Sequence, residues 1–356
     1  IITQDIAEQI DNAGINEVSV RTPLLCKSPI GICKKCYGLN LENGKEIDMG
    51  RAVGVIAAQS IGEPSTQMTM QTFHKGGVQK IDITQGLPRI DELFEARTPK
   101  AEASVSSIDG KVHIDVAEDE SAIITITGTR KLVRYSIVSR AKSLLVQSGQ
   151  EVKNGEVMFV DEYGDERQAP FDGVAMIDGG ILTLTGTVKA EESIPVLPGV
   201  SILVEDGSLV KAGTQLTEGS LDPKKLAEAV DILSAQKYIL DGVQEVFNKN
   251  GVSVDDIHIE IILRQMARLG KVVESGDSSY LIGSFVNRFM GEVKNEILVS
   301  EGKNKALILP VLLGIKTSSL NTESFLSSIS FQEQVRVLTN AAILGKTDYL
   351  RGMKEN

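Results

Sequence analysis

Two stretches of this chain are near-copies of each other, and that constrains the fold more than any single residue. SLLVQSGQEVKNGEVM at 143–158 aligns without a gap on SILVEDGSLVKAGTQL at 201–216. Ser143, Leu145, Val146, Gly149, Val152, Lys153 and Gly155 recur as Ser201, Leu203, Val204, Gly207, Val210, Lys211 and Gly213. Each copy reads strand, glycine turn, short strand, glycine turn, strand. Glycine has no Cβ and so accepts the positive φ that such turns demand. Through 101–220, Val, Ile and Thr alternate with polar residues, the period of two that marks antiparallel β-structure. Candidate strands lie at 112–116, 122–127, 135–138, 173–177 and 181–185. Two related small β-barrel or sandwich units are expected, with FDG at 171–173 only a turn. A biotinyl or lipoyl carrier shares the VKAGTQL pattern, but it needs its lysine in an EAMK- or DKA-type tripeptide, and neither occurs.

The flanking regions carry a helical period. From 49 to 61, the small residues Ala52, Gly54, Ala57 and Ala58 allow close packing. Gly62 is expected to end this helix and Pro64 to open a second one that runs to His74. Gln67, Met70, Gln71 and His74 fall at i, i+3, i+4 and i+7 and share one face. That stripe is poor core material. It offers a ligand amides, a soft apolar contact and a titratable imidazole, although a half-exposed face without a ligand has the same spacing. Gly76 and Gly77 break the helix, 78–85 is a short linker, and Gly86 with Pro88 starts another helix with Leu87, Ile90, Leu93 and Phe94 along its apolar side. Two helices joined this way can open and close over a ligand. Without one, residues near 76–86 are expected to be open.

All three cysteines lie in CKSPIGICKKC. That is too few for a disulfide framework. Cys33 and Cys36, with Gly38 just beyond, have zinc-knuckle spacing, and Cys26 can supply a third thiolate. A closed structural zinc site takes four ligands, so the fourth is expected from outside the chain. Three free structural cysteines are the alternative; a redox pair lacks its strand–helix context. The net charge of -11 argues against a free-standing nucleic-acid binder but not against a part of a larger assembly. No run of 18 apolar residues marks a membrane span, and no secretory signal opens the chain. From Ile1 to the terminal Lys354-Glu355-Asn356 the sequence reads as a piece of something longer.

Elsewhere, 5–11 suits a short helix and 18–20 a strand. From Asp222 the pattern is helical, with Leu226, Val230 and Leu233 on one stripe and Ile239, Val243, Val246 and Phe247 on another, closed by Asn250-Gly251. Residues 258–266 suit a strand or a buried helix. His258 and His113 stand alone and are assigned packing or capping roles. The serines and threonines of 317–331 have no His–Asp pair near them and default to caps and turns. Residues 332–344 form an amphipathic helix, with Arg336 and Arg351 at a solvated or partner-facing surface.

The residues from 54 to 97 are specific enough to compare with a family. GVIAAQSIGEPSTQMTMQTFHKGG and DITQGLPRIDELFEAR closely resemble the trigger loop of multisubunit RNA polymerase, in the bacterial beta-prime subunit. CKSPIGICKKCYGLNLENGK resembles the stretch holding three of that subunit's four zinc cysteines. HIEIILRQM at 258–266 and LGIKTSSLNTESFLSSISFQEQVRVLTNAAILGKTDYLRGMKEN at 313–356 resemble its C-terminal part. The resemblance implies an α+β multidomain chain. It would comprise a partial zinc segment at 1–48, a helical trigger-loop hairpin at 49–100, a jaw of duplicated sandwich-barrel hybrid units at 101–220 and a helical C-terminal region at 221–356.

It also implies a nucleotidyltransferase role. Met70 matches the residue that packs on the nucleobase, His74 the histidine at the triphosphate and Gln67 a glutamine near the sugar. Bacterial relatives usually carry arginine where Gln71 stands, so electrostatic help from that position should be weaker. The Asp-rich NADFDGD-like magnesium motif is absent, so Mg2+ ligands are expected outside the chain and the chain alone should be inactive. The implied partners are the beta, alpha, omega and sigma subunits, DNA template, nascent RNA and nucleoside triphosphates, in the cytoplasm at the nucleoid. In the family the jaw faces downstream DNA, but Glu118, Asp119, Glu120, Asp161, Glu162, Asp165 and Glu166 would repel phosphate. A non-catalytic zinc-knuckle or carrier-like interaction module is the alternative reading of the chain.

Overall fold

A computed structural model of the chain describes residues 2, 4–15, 17–74, 86–116, 121–322, 324–330 and 333–349, with side chains throughout except at 4 and 68–74. The fold is mixed α+β with antiparallel sheets. It divides into two compact units, one of Ile1–Glu95, Gln236–Arg268 and Leu313–Asn356, the other of Ala96–Ala235 and Leu269–Leu312. Numbered in chain order, α1 is Gln4–Asn12, α2 Lys34–Tyr37, α3 Val53–His74 and α4 Leu87–Phe94. The strands β1 (Asp109–Val116), β2 (Ala122–Ile137), β3 (Ser143–Leu144), β4 (Gln150–Val152), β5 (Val157–Val160), β6 (Glu166–Gln168), β7 (Gly173–Asp178), β8 (Ile181–Val196) and β9 (Leu209–Val210) follow. Then come α5 (Pro223–Ala229), α6 (Ile232–Lys249), α7 (Asp256–Met266), β10 (Leu269–Glu274), β11 (Phe285–Asn287), α8 (Arg288–Ser300) and β12 (Leu307–Pro310). The last helices are α9 (Ile315–Leu320), α10 (Phe325–Ile329) and α11 (Gln334–Ile343).

In the first unit, the two helices expected on either side of Gly62 are one. Helix α3 runs unbroken with Pro64 inside it. A proline removes one ladder hydrogen bond and loosens the turn before it. The bond lost here is the one to the Ser60 carbonyl; the Ser65 and Thr66 hydroxyls donate back to the next two carbonyls, those of Ile61 and Gly62, at 2.7 and 2.9 Å. Helix α4 buries Ile90, Leu93 and Phe94, but Leu87 at its first position is exposed. Leu93 sits on Gly242 of α6, where a Cβ would come 3.0 Å from its Cδ1. The α6 stripe Ile239, Val243, Val246 and Phe247 is buried as its spacing predicts. In the second unit, the stripe Leu226, Val230 and Leu233 is not continuous. Val230 leaves helical geometry, Asp231 accepts the Ser234 N–H at 2.6 Å, and Val230 and Leu233 are exposed. Residues 18–20 form no strand, and Val18 and Val20 face solvent.

The segment 258–266 is helix. Asp255 caps α7 through the Ile257 N–H, and Ile259, Ile261, Leu263 and Met266 are buried. His258 is packed among them, and burial pushes its pKa below the usual histidine range against the pull of Asp255. A base held neutral in the fold takes up a proton when the chain unfolds. Stability should therefore fall as pH drops below the unfolded value of about 6.5. His258→Leu should flatten that decline; the variant-minus-wild-type difference in urea midpoints at about pH 7.5 and 5.5 checks it. The serine-rich tail caps and turns as expected: Ser324 accepts from the Ser327 N–H at 3.1 Å, and buried Ser318 donates to the Gln265 carbonyl at 2.8 Å.

In the second unit the strand order is β4-β7-β8-β2-β1-β9. Helix-free alternation gives two long strands, β2 and β8, paired antiparallel from end to end. The turn glycines of both copies take positive φ, 88 and 83° at Gly149 and Gly155, 81 and 89° at Gly207 and Gly213. The duplication reaches further than the two aligned stretches. Asp109-Gly110 lies opposite Gly128 as Asp172-Gly173 lies opposite Gly186. Asp109 accepts the Ala212 N–H at 2.7 Å, and Asp172 accepts the Asn154 N–H at 2.6 Å. Gly213 donates to the Ser106 carbonyl and Gly155 to the Ala169 carbonyl, at 2.8 and 2.9 Å. So 171–173 is more than a turn: it is the second copy's counterpart of 108–110.

Each copy has its own core. Ile108, Val112, Ile124, Ile126, Val210 and Leu216 fill one; Phe171, Ala175, Leu182, Leu184, Val152 and Met158 fill the other. Neither copy closes into a barrel among the described residues. The two share the open six-stranded sheet, and the small sheet β3-β5-β6 contributes Met158 and Phe159 to the second core. His113 departs from expectation. It neither packs nor caps a helix but lies exposed on β1, Nδ1 3.0 Å from Asp206 and Nε2 3.3 Å from Asp115.

Candidate functional site

The three cysteines come together. Thr22 accepts the Leu24 N–H at 2.9 Å and fixes the turn that delivers Cys26. Cys33 stands at the start of α2, which puts Cys36 one turn on. The Cys33 N–H donates to Cys26 Sγ at 3.5 Å, and all three Sγ atoms lie within 4.8 Å of one another. Cys26 is buried, Cys36 half-buried and Cys33 exposed. Backbone and thiol hydrogen bonds from Cys36 draw the Cys33 pKa down. Burial, then hydrogen bonds with Cys33 and Cys26, push Cys36 up to about 12. Three thiolates this close repel one another, and a divalent cation reverses that penalty. The donor set fits a soft, thiolate-binding metal ion. Among the described residues no fourth His, Cys, Asp or Glu joins the group.

Behind the knuckle sits an apolar cluster of Tyr37, Ile47, Ala57 and Ile261, with Ile32, Val53 and Ile257 packed on it. It joins the knuckle, the first turns of α3 and one side of α7. Buried Arg264 of α7 adds a polar tie, its guanidinium donating to the carbonyls of Cys26 and Ser28 at 3.2 and 2.7 Å. Sequence reasoning quoted HIEIILRQM but gave Arg264 no role. The usable signal was an arginine within a buried helical stretch, where a charge must find acceptors.

The helical stripe is described only in part. Gln67 is exposed on α3 and its amide pairs with Glu63 one turn earlier. Met70, Gln71 and His74 belong to the same helix, but their side chains lie outside the described residues, as does the linker 78–85. The far side of that linker is held firmly. Arg89 of α4 pairs with Glu92 and donates to the Tyr238 hydroxyl at 2.8 Å. At the end of α4, Gly314 approaches so closely that a Cβ would lie 2.5 Å from the Glu95 carbonyl oxygen. Sequence reasoning assigned this glycine nothing. Arg336 is exposed and paired with Glu333, and Arg351 lies outside the described residues.

No helix among the described residues is long and apolar enough to cross a membrane. A family model described as RNA polymerase Rpb1, domain 5, matches residues 5–323. A Chloroflexus aggregans protein named DNA-directed RNA polymerase subunit beta' is 44% identical over 357 residues, which cover 100% of this chain and 24% of that protein. Its namesake in Roseiflexus castenholzii is 42% identical over 362 residues, again 100% and 24%. The one in Exiguobacterium sibiricum is 43% identical over 357 residues, 100% and 25%. The chain spans about a quarter of the length of these relatives.

Proposed function

The chain belongs to the RNA polymerase Rpb1 domain 5 family, and from that premise we propose that it acts within a bacterial-type DNA-directed RNA polymerase, as the portion of the beta-prime subunit that closes on the incoming nucleoside triphosphate. What carries the proposal is the resemblance of residues 54–97 to the trigger loop, inside a chain alike to beta-prime subunits along its whole length. Its partners are then the beta, alpha, omega and sigma subunits, the DNA template and the nascent RNA, in the cytoplasm. The sheet unit with its paired copies serves as the jaw, and residues 1–48, 49–100, 101–220 and 221–356 act as knuckle, hairpin, jaw and C-terminal region.

The hairpin that contains α3 and α4 then closes on the nucleotide when it arrives. Met70 packs on the base, and Gln67 exchanges its Glu63 partner for the sugar. His74 meets the triphosphate and stabilises the charge that develops on the leaving pyrophosphate. Magnesium, held by residues of the assembly outside this sequence, supplies charge neutralisation at the phosphates. Zinc, held by Cys26, Cys33, Cys36 and a fourth ligand from the assembly, supplies folding energy to the knuckle.

Gln71 can give the nucleotide only neutral hydrogen bonds. Gln71→Arg should strengthen nucleotide binding or addition about fivefold, the ~1 kcal/mol by which a charge-assisted bond exceeds a neutral one. The function is tested by placing this sequence in a reconstituted polymerase and following single-nucleotide addition. Template-directed addition by the assembly, with none by the chain alone, is expected. An assembled enzyme that bears this sequence and adds no nucleotide would overturn the proposal.

A further inference from the structure

The cysteine knuckle and the foot of α3 share one piece of architecture, and the piece between them is α7. Arg264 holds the two carbonyls that frame Cys26, those of Cys26 and Ser28, while Ile261, one helical turn earlier, packs against Ala57 of α3. Tyr37, which follows Cys36 directly, packs into the same cluster. Residues i and i+3 of a helix lie on one side of it. Helix α7 therefore grips the knuckle with one residue and the foot of α3 with the other. Ala57 is wholly buried, so α3 cannot shift there without repacking both neighbours.

We propose that metal binding at Cys26, Cys33 and Cys36 fixes the foot of α3, and that Arg264 is the positioning residue that carries this effect. The knuckle then sets how firmly the moving hairpin is rooted. Arg264 touches no nucleotide and no reacting atom. It acts by tying the Cys26 loop to α7, so that the shape the metal gives the loop is passed to the cluster. With the metal gone, only weak hydrogen bonds to sulfur hold the three cysteines together, so the Cys26–Ser28 carbonyls can leave the guanidinium and the cluster over Ala57 loosens. The inference rests on the knuckle holding a metal, as proposed above.

Amide exchange over 53–61 of this chain within the assembled polymerase, which supplies the fourth ligand, tests this, with Zn2+ added back or stripped with a chelator, and bound zinc counted in parallel. Removal of zinc should speed exchange in 53–61 about tenfold, with the amides of β2 and β8 unchanged. Cys33→Ser changes an exposed side chain and leaves Arg264 intact; it should give the fast rate with or without zinc. Arg264→Ala should bind zinc yet exchange fast in both states, and Arg264→Lys, which keeps a charged donor, should restore part of the protection. Zinc bound at one equivalent with unchanged exchange in 53–61 would overturn the coupling while leaving the metal site standing. Failure of the assembled polymerase, which supplies the fourth ligand, to bind zinc through Cys26, Cys33 and Cys36 would overturn the metal site and the coupling with it. Metal-dependent protection that persists in Arg264→Ala would remove Arg264 from its role.

Discussion

In a polymerase assembled with this sequence, His74→Ala should slow nucleotide addition about a hundredfold. The size follows from what surrounds the residue in sequence. The stripe Gln67, Met70, Gln71 and His74 carries a single group that can be cationic. Gln67, Met70 and Gln71 are all neutral, so none of the three can take over the charge that builds on pyrophosphate as the bond to the α-phosphorus breaks. The loss should fall on kcat more than on KM, because the interaction strengthens only as charge develops. His74→Gln keeps a hydrogen-bond donor without a titratable proton. An intermediate rate would assign part of the effect to hydrogen bonding alone; a rate as low as that of His74→Ala would assign it to the protonated ring. Quenched-flow measurement of one addition cycle reads both. A rate unchanged in His74→Ala would remove this residue from the site.

The second large effect concerns the sheet. A Cβ at Gly186 would lie 2.0 Å from the Asp172 carbonyl oxygen, and one at Gly128 would lie 2.0 Å from that of Asp109. Backbone atoms of neighbouring strands cannot step aside as a flexible side chain can. Gly186→Ala and Gly128→Ala should each cost about 3 kcal/mol or more. Gly207→Ala is the comparison. That glycine has φ +81° but open space, with its nearest neighbour the Lys111 Cε at 3.7 Å. It should cost only about 1–2 kcal/mol, the price of a left-handed backbone. Urea unfolding of the three variants, with equal m-values, gives the ranking. Equal losses at Gly128, Gly186 and Gly207 would mean that the close strand approach has no energetic weight.

Those glycines also mark where sequence reasoning stopped. The aligned stretches 143–158 and 201–216 were legible because they keep one register and repeat their turn glycines. The partner halves were not. Asp109-Gly110 precedes its aligned stretch in the chain, whereas Asp172-Gly173 follows its own, and the hairpins between β1 and β2 and between β7 and β8 differ in length. No gapless alignment finds that match. Strand starts at 122, 173 and 181 were legible from period two, but 122–127 and 135–138 belong to one strand, β2, and 181–185 is only the beginning of β8. The continuity of α3 was not, since Gly62 and Pro64 are local stop signals, and the packing of α3 with α7 around Ala57 joins residues far apart in sequence. The break at Val230 depends on Asp231 capping the next helix, which an apolar stripe does not reveal. Cysteine spacing predicted the knuckle, and the sulfurs do converge. Arg264 was missed because its acceptors are backbone carbonyls far away in sequence, which no motif records.

The central claim is that the segment leading from α3 to α4 folds on nucleotide. Amide exchange of residues 68–85 in the assembled polymerase on a primed template tests it most directly. The nucleoside triphosphate that matches the template should slow exchange throughout 68–85, while a mismatched one should leave it fast and α4 should not change. Equal exchange with matched, mismatched and no nucleotide would contradict the account.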